Sequence, residues 1–441
     1  MTTTLPGHAG SPAADSRYDV RSFPAATEGQ PGYEQSAGWL RAVGLGFYDP
    51  ERTDEMVSGI LARYAVDGRE LTGAYQRGPV AGHSPGTEVP VATFGTFRKN
   101  LNVGYGRQLE AHLVTAVTVR TGHRRRGLLR SIMEADLARA KADGAAVAAL
   151  MASEAVIYGR YGFGPATIER SITVDTGSRF RLRCRPAGTV EAVDRKVLID
   201  VAPRVFAAFQ DRTPGSVDRQ ESYRNAVSGT PGRDGTEDLA LRAALHYGPD
   251  GGVDGYVAYR FLGWDKEPAT MEVVDLVAAT PDAYLGLWDY LGSLDLVGCV
   301  TWTGAPPADP LPWALEDARC VTVTAERDAL WLRILDLPAA LSARRYGADG
   351  TLVLEVTDPL GHAAGRFRLS VEACQGTVTD AGAAEPDLGL DVTALASMYL
   401  GAVPPSALLE AGRLTEHLGG AAGTAAALFA VERPAFCATH F

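Results

Sequence analysis

Long apolar runs are missing from this chain. Ala145–Ala152, at eight residues, is among the longest, and a transmembrane helix needs about 18 or more. Met1–Ser16 has no charged segment followed by an apolar core, so it does not read as a secretory signal. Cytoplasmic localisation without membrane insertion is the expectation. Cysteine is scarce and scattered: Cys184, Cys299, Cys320, Cys374 and Cys437 form no CxxC pair and are odd in number. Neither a disulfide framework nor a zinc site is expected, and no metal. Lysine is scarcer still. Of 42 basic residues only Lys99, Lys141, Lys196 and Lys266 are lysine, a bias that fits a GC-rich coding sequence better than a chemical role. The formal net charge is −11. A broad basic face is therefore absent, which argues against a nucleic-acid or anionic-membrane binder.

What is present is a globular composition: 46% hydrophobic and 22% charged residues over 441 positions. That length corresponds to about three domains at roughly 150 residues each. Residues 1–17 are rich in Thr, Pro, Gly, Ala and Ser and read as a disordered tail. Residues 18–178 alternate strand and helix patterns. Tyr18–Phe23, Leu71–Tyr75, Val89–Arg98, Leu109–Arg120, Val147–Met151 and Thr167–Val174 read as strands; Gln30–Phe47, Arg52–Tyr64, Gly127–Asp143 and Ala155–Tyr161 read as helices. This is an α/β domain. Residues 179–326 form a second α/β unit, in which the strand Met271–Ala278, helix Asp282–Leu291 and strand Leu296–Trp302 echo the first. Residues 327–441 mix strands and helices in blocks, an α+β pattern. There Leu330–Leu335, Thr351–Val356 and Gly365–Val371 read as strands, and Ala339–Arg345, Leu388–Leu400 and Pro405–Leu418 as helices.

One window departs from the acidic whole. Between Glu110 and Glu134 there is no acidic residue, yet Arg120, His123, Arg124, Arg125, Arg126 and Arg130 lie there. They sit where a strand meets a helix N-terminus. The helix dipole is positive there and disfavours cations by roughly 0.3–1 kcal/mol each. Cations held against that cost point to an anion, since a helix N-terminus flanked by Arg is a phosphate site. Gly127 lets the anion approach the backbone. In the second unit Asp282, Ala283 and Tyr284 stand where the arginines would be, so that copy reads as degenerate. Gly82-His83-Ser84-Pro85-Gly86 matches G-x-S-x-G, but prolines flank it and no helix pattern follows, so a hydrolase nucleophile elbow is excluded.

The segment Val117-Thr-Val-Arg-Thr-Gly-His-Arg-Arg-Arg-Gly-Leu-Leu129 resembles the acyl-CoA-binding segment of GNAT acetyltransferases, with Leu129 in place of the family's last Gly/Ala. Its HRRRGLLR form, together with Ala152-Ser-Glu-Ala-Val-Ile-Tyr-Gly-Arg-Tyr-Gly-Phe-Gly-Pro-Ala-Thr167 and Leu330-Trp-Leu-Arg-Ile-Leu-Asp-Leu-Pro-Ala-Ala-Leu341, is similar to the Eis-type (enhanced intracellular survival) acetyltransferases of actinobacteria. The resemblance implies two tandem GNAT-like domains, the second degenerate, followed by a sterol-carrier-protein-like domain, in a homohexamer. It implies acetyl-CoA as cosubstrate and a primary amine as acceptor, either an aminoglycoside-like polyamine or a lysine side chain. By the same resemblance Val117, Thr118 and Val119 would line the pantetheine arm, and Arg124, Arg125, Arg126, Gly127 and Leu128 would hold the pyrophosphate. Tyr158 would be the general acid, with Tyr161 as runner-up. The α-carboxylate of Phe441 would accept the amine proton, with His440 as a second candidate base. Asp49 would stand near the amine, and Ala116 where relatives carry an aromatic. The competing reading is a scaffold that binds CoA or lipid without turnover.

Overall fold

The structure, a computed structural model, describes residues 17–80, 82–231 and 236–441. Except for Arg17, the tail expected over 1–17 lies outside the described residues. Contacts divide the chain into two units, one running to Phe97 and including Val114–Arg139, the other made of Arg98–Leu113 and Ala140–Phe441.

The first unit holds β1 (Tyr18–Pro24), α1 (Tyr33–Phe47), α2 (Asp54–Val66), β2 (Glu70–Gln76), the start of β3 (Ala92–Asn102), the end of β4 (Gln108–Val119) and most of α3 (Leu128–Ala142). The strands lie in the order β1-β2-β3-β4. β1 and β2 pair antiparallel from Tyr18↔Gln76 to Pro24↔Glu70, and β2 pairs antiparallel with β3. Apolar residues recur at helical spacing in α1 and α2, so each buries one stripe. Trp39, Leu40 and Val43 of α1 meet Val57, Ile60 and Leu61 of α2 over Leu71 of β2. The Trp39 indole is fully buried and donates to the Thr72 carbonyl at 2.7 Å, so its one polar group is satisfied. Arg139 of α3 bonds both Glu70 of β2 and Asp136, at 2.7 and 2.8 Å, anchoring that helix to its sheet.

The second unit continues with β5 (Val147–Met151), α4 (Ala155–Tyr158), β6 (Gly164–Pro165), β7 (Ile168–Asp175), β8 (Thr189–Val193), α5 (Leu198–Asp211), α6 (Ser222–Ser228), β9 (Leu241–Tyr247), β10 (Val253–Phe261), β11 (Thr270–Ala278), α7 (Pro281–Gly292), β12 (Cys299–Ala305), α8 (Leu311–Ala314), β13 (Val321–Asp328) and β14 (Leu330–Ile334). It ends with α9 (Leu337–Ala343), β15 (Gly350–Thr357), β16 (Gly365–Glu372), β17 (Gln375–Asp380), β18 (Leu388–Asp391), α10 (Val392–Tyr399), α11 (Pro405–Glu410), β19 (Leu414–Glu416) and α12 (Ala421–Phe429). One sheet runs β13-β7-β12-β11-β10-β9-β8, another β17-β16-β15-β18-β19. β11 and β12 are parallel, joined by α7, which repeats the strand-helix-strand order of β4, α3 and β5.

Chain order and sheet membership diverge at two strands. β7, grouped with the first domain on sequence, pairs with β12 and β13 of the middle sheet. β14, read as the opening of the third domain, pairs antiparallel with β5, Leu330↔Met151 through Ile334↔Val147, and also with β6. Neither exchange leaves a local signal, because sheet pairing is made by backbone N–H and C=O groups that every extended segment offers. Two expected helices are also shorter. Leu388–Asp391 is a strand, and the Asp391 carboxylate caps α10 by accepting from the Ala394 N–H at 2.7 Å. Gly412, at φ 68°, closes the turn after α11, and β19 follows.

Candidate active site

In β4, Ala111–Val114 are buried, whereas Thr115–Val119 are only half-buried. Near the start of the second stretch Ala116 has a φ of 51°, rare for a residue with a Cβ. Such a break re-aims a strand's backbone groups. A polar clip from β3 holds it: the Thr93 hydroxyl bonds the Ala116 carbonyl at 2.8 Å and the Thr118 hydroxyl at 2.7 Å. Gly46 of α1 lies against the same place, and a Cβ there would fall 2.4 Å from Thr118 Cβ. Glycine therefore brings the end of α1, and Asp49 just beyond it, up to the outer half of β4.

Asp49 follows a left-handed Tyr48 (φ 60°), and its N–H donates to the Gly44 carbonyl at 2.9 Å. Its Oδ2 accepts from Arg52 at 2.5 Å; Arg52 is itself buried and donates to the Leu40 carbonyl. Asp49 is thus an anchored carboxylate. Phe47 and Tyr48 beside it are exposed.

After Val119 a short turn, Thr121–His123, leads into the basic loop. Arg125 (φ 61°) and Gly127 (φ 76°) are left-handed. Turns of this kind gather successive backbone N–H groups on one side, the geometry that cradles anions. Nothing lies within 4 Å of a Cβ built on Gly127; its conformation and open surroundings, not crowding, explain the glycine. The Gly127 carbonyl accepts from the Ser131 N–H at 2.9 Å. The N–H groups of the first turn of α3 then have no acceptor within the helix.

The arginines divide by role. Arg126 braces the loop, donating to the Tyr18 hydroxyl at 2.5 Å and the Gly122 carbonyl at 2.9 Å. The Tyr18 hydroxyl also meets His123 Nδ1 at 2.8 Å. The Tyr18 hydroxyl can donate to His123 Nδ1 or accept from it, according to the imidazole tautomer. Burial, and then the charges of Arg126, Arg120 and Arg17, hold the His123 imidazole below its ordinary value. Arg124 donates to the Val119 carbonyl at 3.2 Å while remaining exposed, as does Arg125. Arg120 is half-buried, and burial lowers its guanidinium. Leu128 is buried.

The second unit carries the remaining candidates. Tyr158 ends α4 and is buried, with its ring edge-on to Phe163 at 6.3 Å. Burial pushes its phenol above the ordinary value, partly offset by a hydrogen bond with Ser153. The phenol is therefore neutral at pH 7 and able to donate. Tyr161 is buried too. Behind this segment, Arg333 and Asp358 form a fully buried ion pair at 2.7 Å.

The segment Pro434–Phe441 is docked, not frayed. Ala435, Phe436, Cys437 and Thr439 are buried. The Phe436 N–H donates to the Pro214 carbonyl at 2.8 Å, and the Thr439 hydroxyl to the Val217 carbonyl at 2.7 Å. His440 is held at three points: its N–H donates to the Tyr223 hydroxyl at 2.7 Å, its carbonyl accepts from Gln220 at 2.5 Å, and its Nε2 lies 2.9 Å from Glu169 Oε2. Phe441 is half-buried. Glu169, Gln220 and Tyr223 were not singled out by sequence reasoning. They lie more than 200 residues from the tail, and only the fold brings them to it. Among the described residues no cluster of three or more His, Cys, Asp or Glu side chains could hold a metal ion, and no helix is long and apolar enough to cross a membrane.

Acetyltransferase (GNAT) domain models match residues 34–166 and 215–334, and a sterol carrier protein domain model matches 337–438. An uncharacterized N-acetyltransferase of Streptomyces griseus is 37% identical over 422 residues, 92% of this chain and 97% of the relative. The N-acetyltransferase Eis of Mycobacterium tuberculosis is 38% identical over 314 residues, 68% of this chain and 72% of the relative. Among solved structures, Eis1 from Mycobacterium abscessus superposes with a TM-score of 0.79 at 28% identity, covering 96% of this chain and 100% of that one.

Proposed function

Because this chain belongs to the Eis-type GNAT N-acetyltransferases, we propose that it transfers acetyl from acetyl-CoA directly to a primary amine, with Tyr158 as general acid and the Phe441 carboxylate as proton acceptor. The observation that carries the reading is the loop Arg124–Gly127. Exposed guanidiniums and left-handed backbone stand there at the mouth of α3, next to the half-buried end of β4. These residues fit a cofactor with an anionic pyrophosphate and an uncharged arm. Arg124 and Arg125 would neutralise the phosphates, and the N–H groups of Arg126, Gly127 and Leu128 would bond their oxygens. The backbone N–H and C=O groups of Val117 and Val119 would bond the amide-bearing arm as another strand would, beside the Thr118 side chain. Arg126 serves mainly by bracing the loop through Tyr18.

A primary amine is protonated at pH 7, with a pKa of about 10. The Phe441 carboxylate, with an ordinary pKa of about 3.5, is ionised, so it attracts the ammonium and takes its proton directly or through water. The amine nitrogen then bonds the thioester carbonyl carbon as the carbon–sulfur bond breaks. Tyr158 donates its proton to the departing sulfur, and the second N–H proton, lost as the amide forms, leaves through water, from which the phenol is restored. Asp49 adds negative charge near the acceptor. Amines carrying several charges, such as aminoglycoside-like polyamines, or lysine side chains suit this arrangement. Assembly as a homohexamer is part of the proposal, checked by sedimentation.

The test is release of free CoA thiol from acetyl-CoA with a panel of amines, using wild type, Tyr158→Phe and a chain extended by one glycine after Phe441. Turnover by wild type, lost in both variants, supports the mechanism. CoA binding without thiol release, whatever the amine, would favour a scaffold instead.

A further inference from the structure

β11 and β12 start as parallel partners, Thr270↔Cys299 through Val273↔Trp302, and then part. Beyond that point Val274, Asp275 and Leu276 of β11 face an opening whose other side is Trp302, Thr303 and Gly304 of β12. The order β11, α7, β12 repeats that of β4, α3 and β5, which flank the basic loop of the first GNAT domain. Here the helix end is already satisfied. Thr280 caps α7 by accepting from the Ala283 N–H at 3.1 Å, Pro281 needs no acceptor, and Asp282 supplies negative charge to the first turn. No anion is called for at that end.

The opening is lined instead by the chain's own tail. Cys437, Ala438 and His440 line a cavity of about 290 Å³ together with Glu169 and Tyr223. Its charged groups are already committed. Asp275 receives two bonds from the buried Arg219, at 2.7 Å each, and one from Tyr256 at 2.6 Å. Glu169 is buried, bonded by Arg327 at 2.5 Å, and meets His440 at 2.9 Å. The Tyr223 hydroxyl and the Gln220 amide take the main-chain N–H and C=O of His440. Backbone and side chain of a single residue are thereby fixed, one position before the carboxylate of Phe441.

We infer that the strand opening of the second GNAT domain is the seat of the tail, and that Glu169, Gln220 and Tyr223 are positioning residues for acetyl transfer, acting through His440 to place the Phe441 carboxylate. The catalytic part of this inference rests on the reading that this carboxylate accepts the proton. The seat does not. A domain without an anion site has kept its opening as a mould for the chain that supplies the base.

The experiment compares wild type, Glu169→Gln, Glu169→Asp, Tyr223→Phe, His440→Gln and the one-glycine extension. Two readouts are taken: kcat and KM for acetyl-CoA and amine, and the rate at which a carboxypeptidase removes Phe441 from the folded protein. Displacing a reacting group by about 1 Å can cost up to roughly 100-fold. Glu169→Gln, Tyr223→Phe and His440→Gln are therefore expected to lower kcat by about 10–100-fold, to leave KM for acetyl-CoA unchanged, and to release Phe441 several-fold faster. Glu169→Asp recovers part of both. His440 is half-exposed, so His440→Gln keeps the test informative if a buried substitution fails to fold. Faster release with unchanged kcat, when the extension does abolish turnover, overturns the positioning role while the carboxylate reading stands. An extension that turns over like wild type removes the carboxylate from the mechanism and the positioning role with it. Unchanged release in all clamp variants overturns the seat.

Discussion

Replacing Tyr158 by phenylalanine separates chemistry from packing, because the ring stays and only the hydroxyl leaves. The ring is buried and edge-on to Phe163, contacts that phenylalanine keeps. The loss to folding is one hydrogen bond, with Ser153, about 1 kcal/mol, or roughly 2–4 °C in Tm for a domain of this size. The loss to catalysis is larger. A positioned general acid contributes about 10²–10⁴-fold, which is about 2.7–5.4 kcal/mol of barrier. Burial raises the phenol above its ordinary value of 10, so it remains protonated throughout the neutral range. In wild type, kcat should not fall between pH 7 and 9 through ionisation of Tyr158. The assay is thiol release at saturating acetyl-CoA and amine, with thermal unfolding in parallel. A Tyr158→Phe enzyme with kcat within about threefold of wild type would refute the general-acid role. A collapse in Tm would refute the separation of packing from chemistry.

Four further outcomes follow from the geometry. Arg124→Ala and Arg125→Ala each lose a charge-assisted contact at an exposed site and should raise KM for acetyl-CoA by about 3–30-fold, more at low salt than at high salt, as measured by initial rates. Gly46→Ala places a Cβ 2.4 Å from Thr118 Cβ, forcing α1 off β4 at a cost of about 1–3 kcal/mol, seen as a lower Tm and a higher amine KM. Asp358→Ala strands the buried Arg333 charge and should destabilise by about 3–5 kcal/mol, read by denaturant unfolding. Glu169 is held below the ordinary carboxylate value: burial alone would raise it, but His440 and Arg327 outweigh burial. A depressed carboxylate stabilises above its unfolded pKa and loses that contribution as pH falls through its folded pKa. Wild type should thus lose more stability than Glu169→Gln on acidification below about pH 4.5, measured by Tm against pH.

The strand and helix pattern around the basic loop was legible because it rests on local signals. An acid-free window, a glycine at a left-handed position and helical spacing after Leu128 all lie within about twenty residues. β5 matched its expected limits for the same reason, as a short apolar run between turns. What escaped was non-local. β7 and β14 change neighbours without any change in composition. Leu388–Asp391 runs into the helix without a break in the apolar pattern, and the Asp391 cap marks the boundary. The clamp on His440 joins residues 217 to 271 positions apart, a relation no spacing rule contains. The division among the arginines was equally hidden, since Arg126 differs from its neighbours only by reaching Tyr18.

Acetyl transfer to an amine is read out by thiol release from acetyl-CoA across a panel of polyamines and lysine peptides. Amine-dependent release of one CoA per acetyl group gained by the acceptor is expected, with the acetylated amine found by mass spectrometry. Binding of acetyl-CoA with no amine-dependent thiol release across the panel would contradict it.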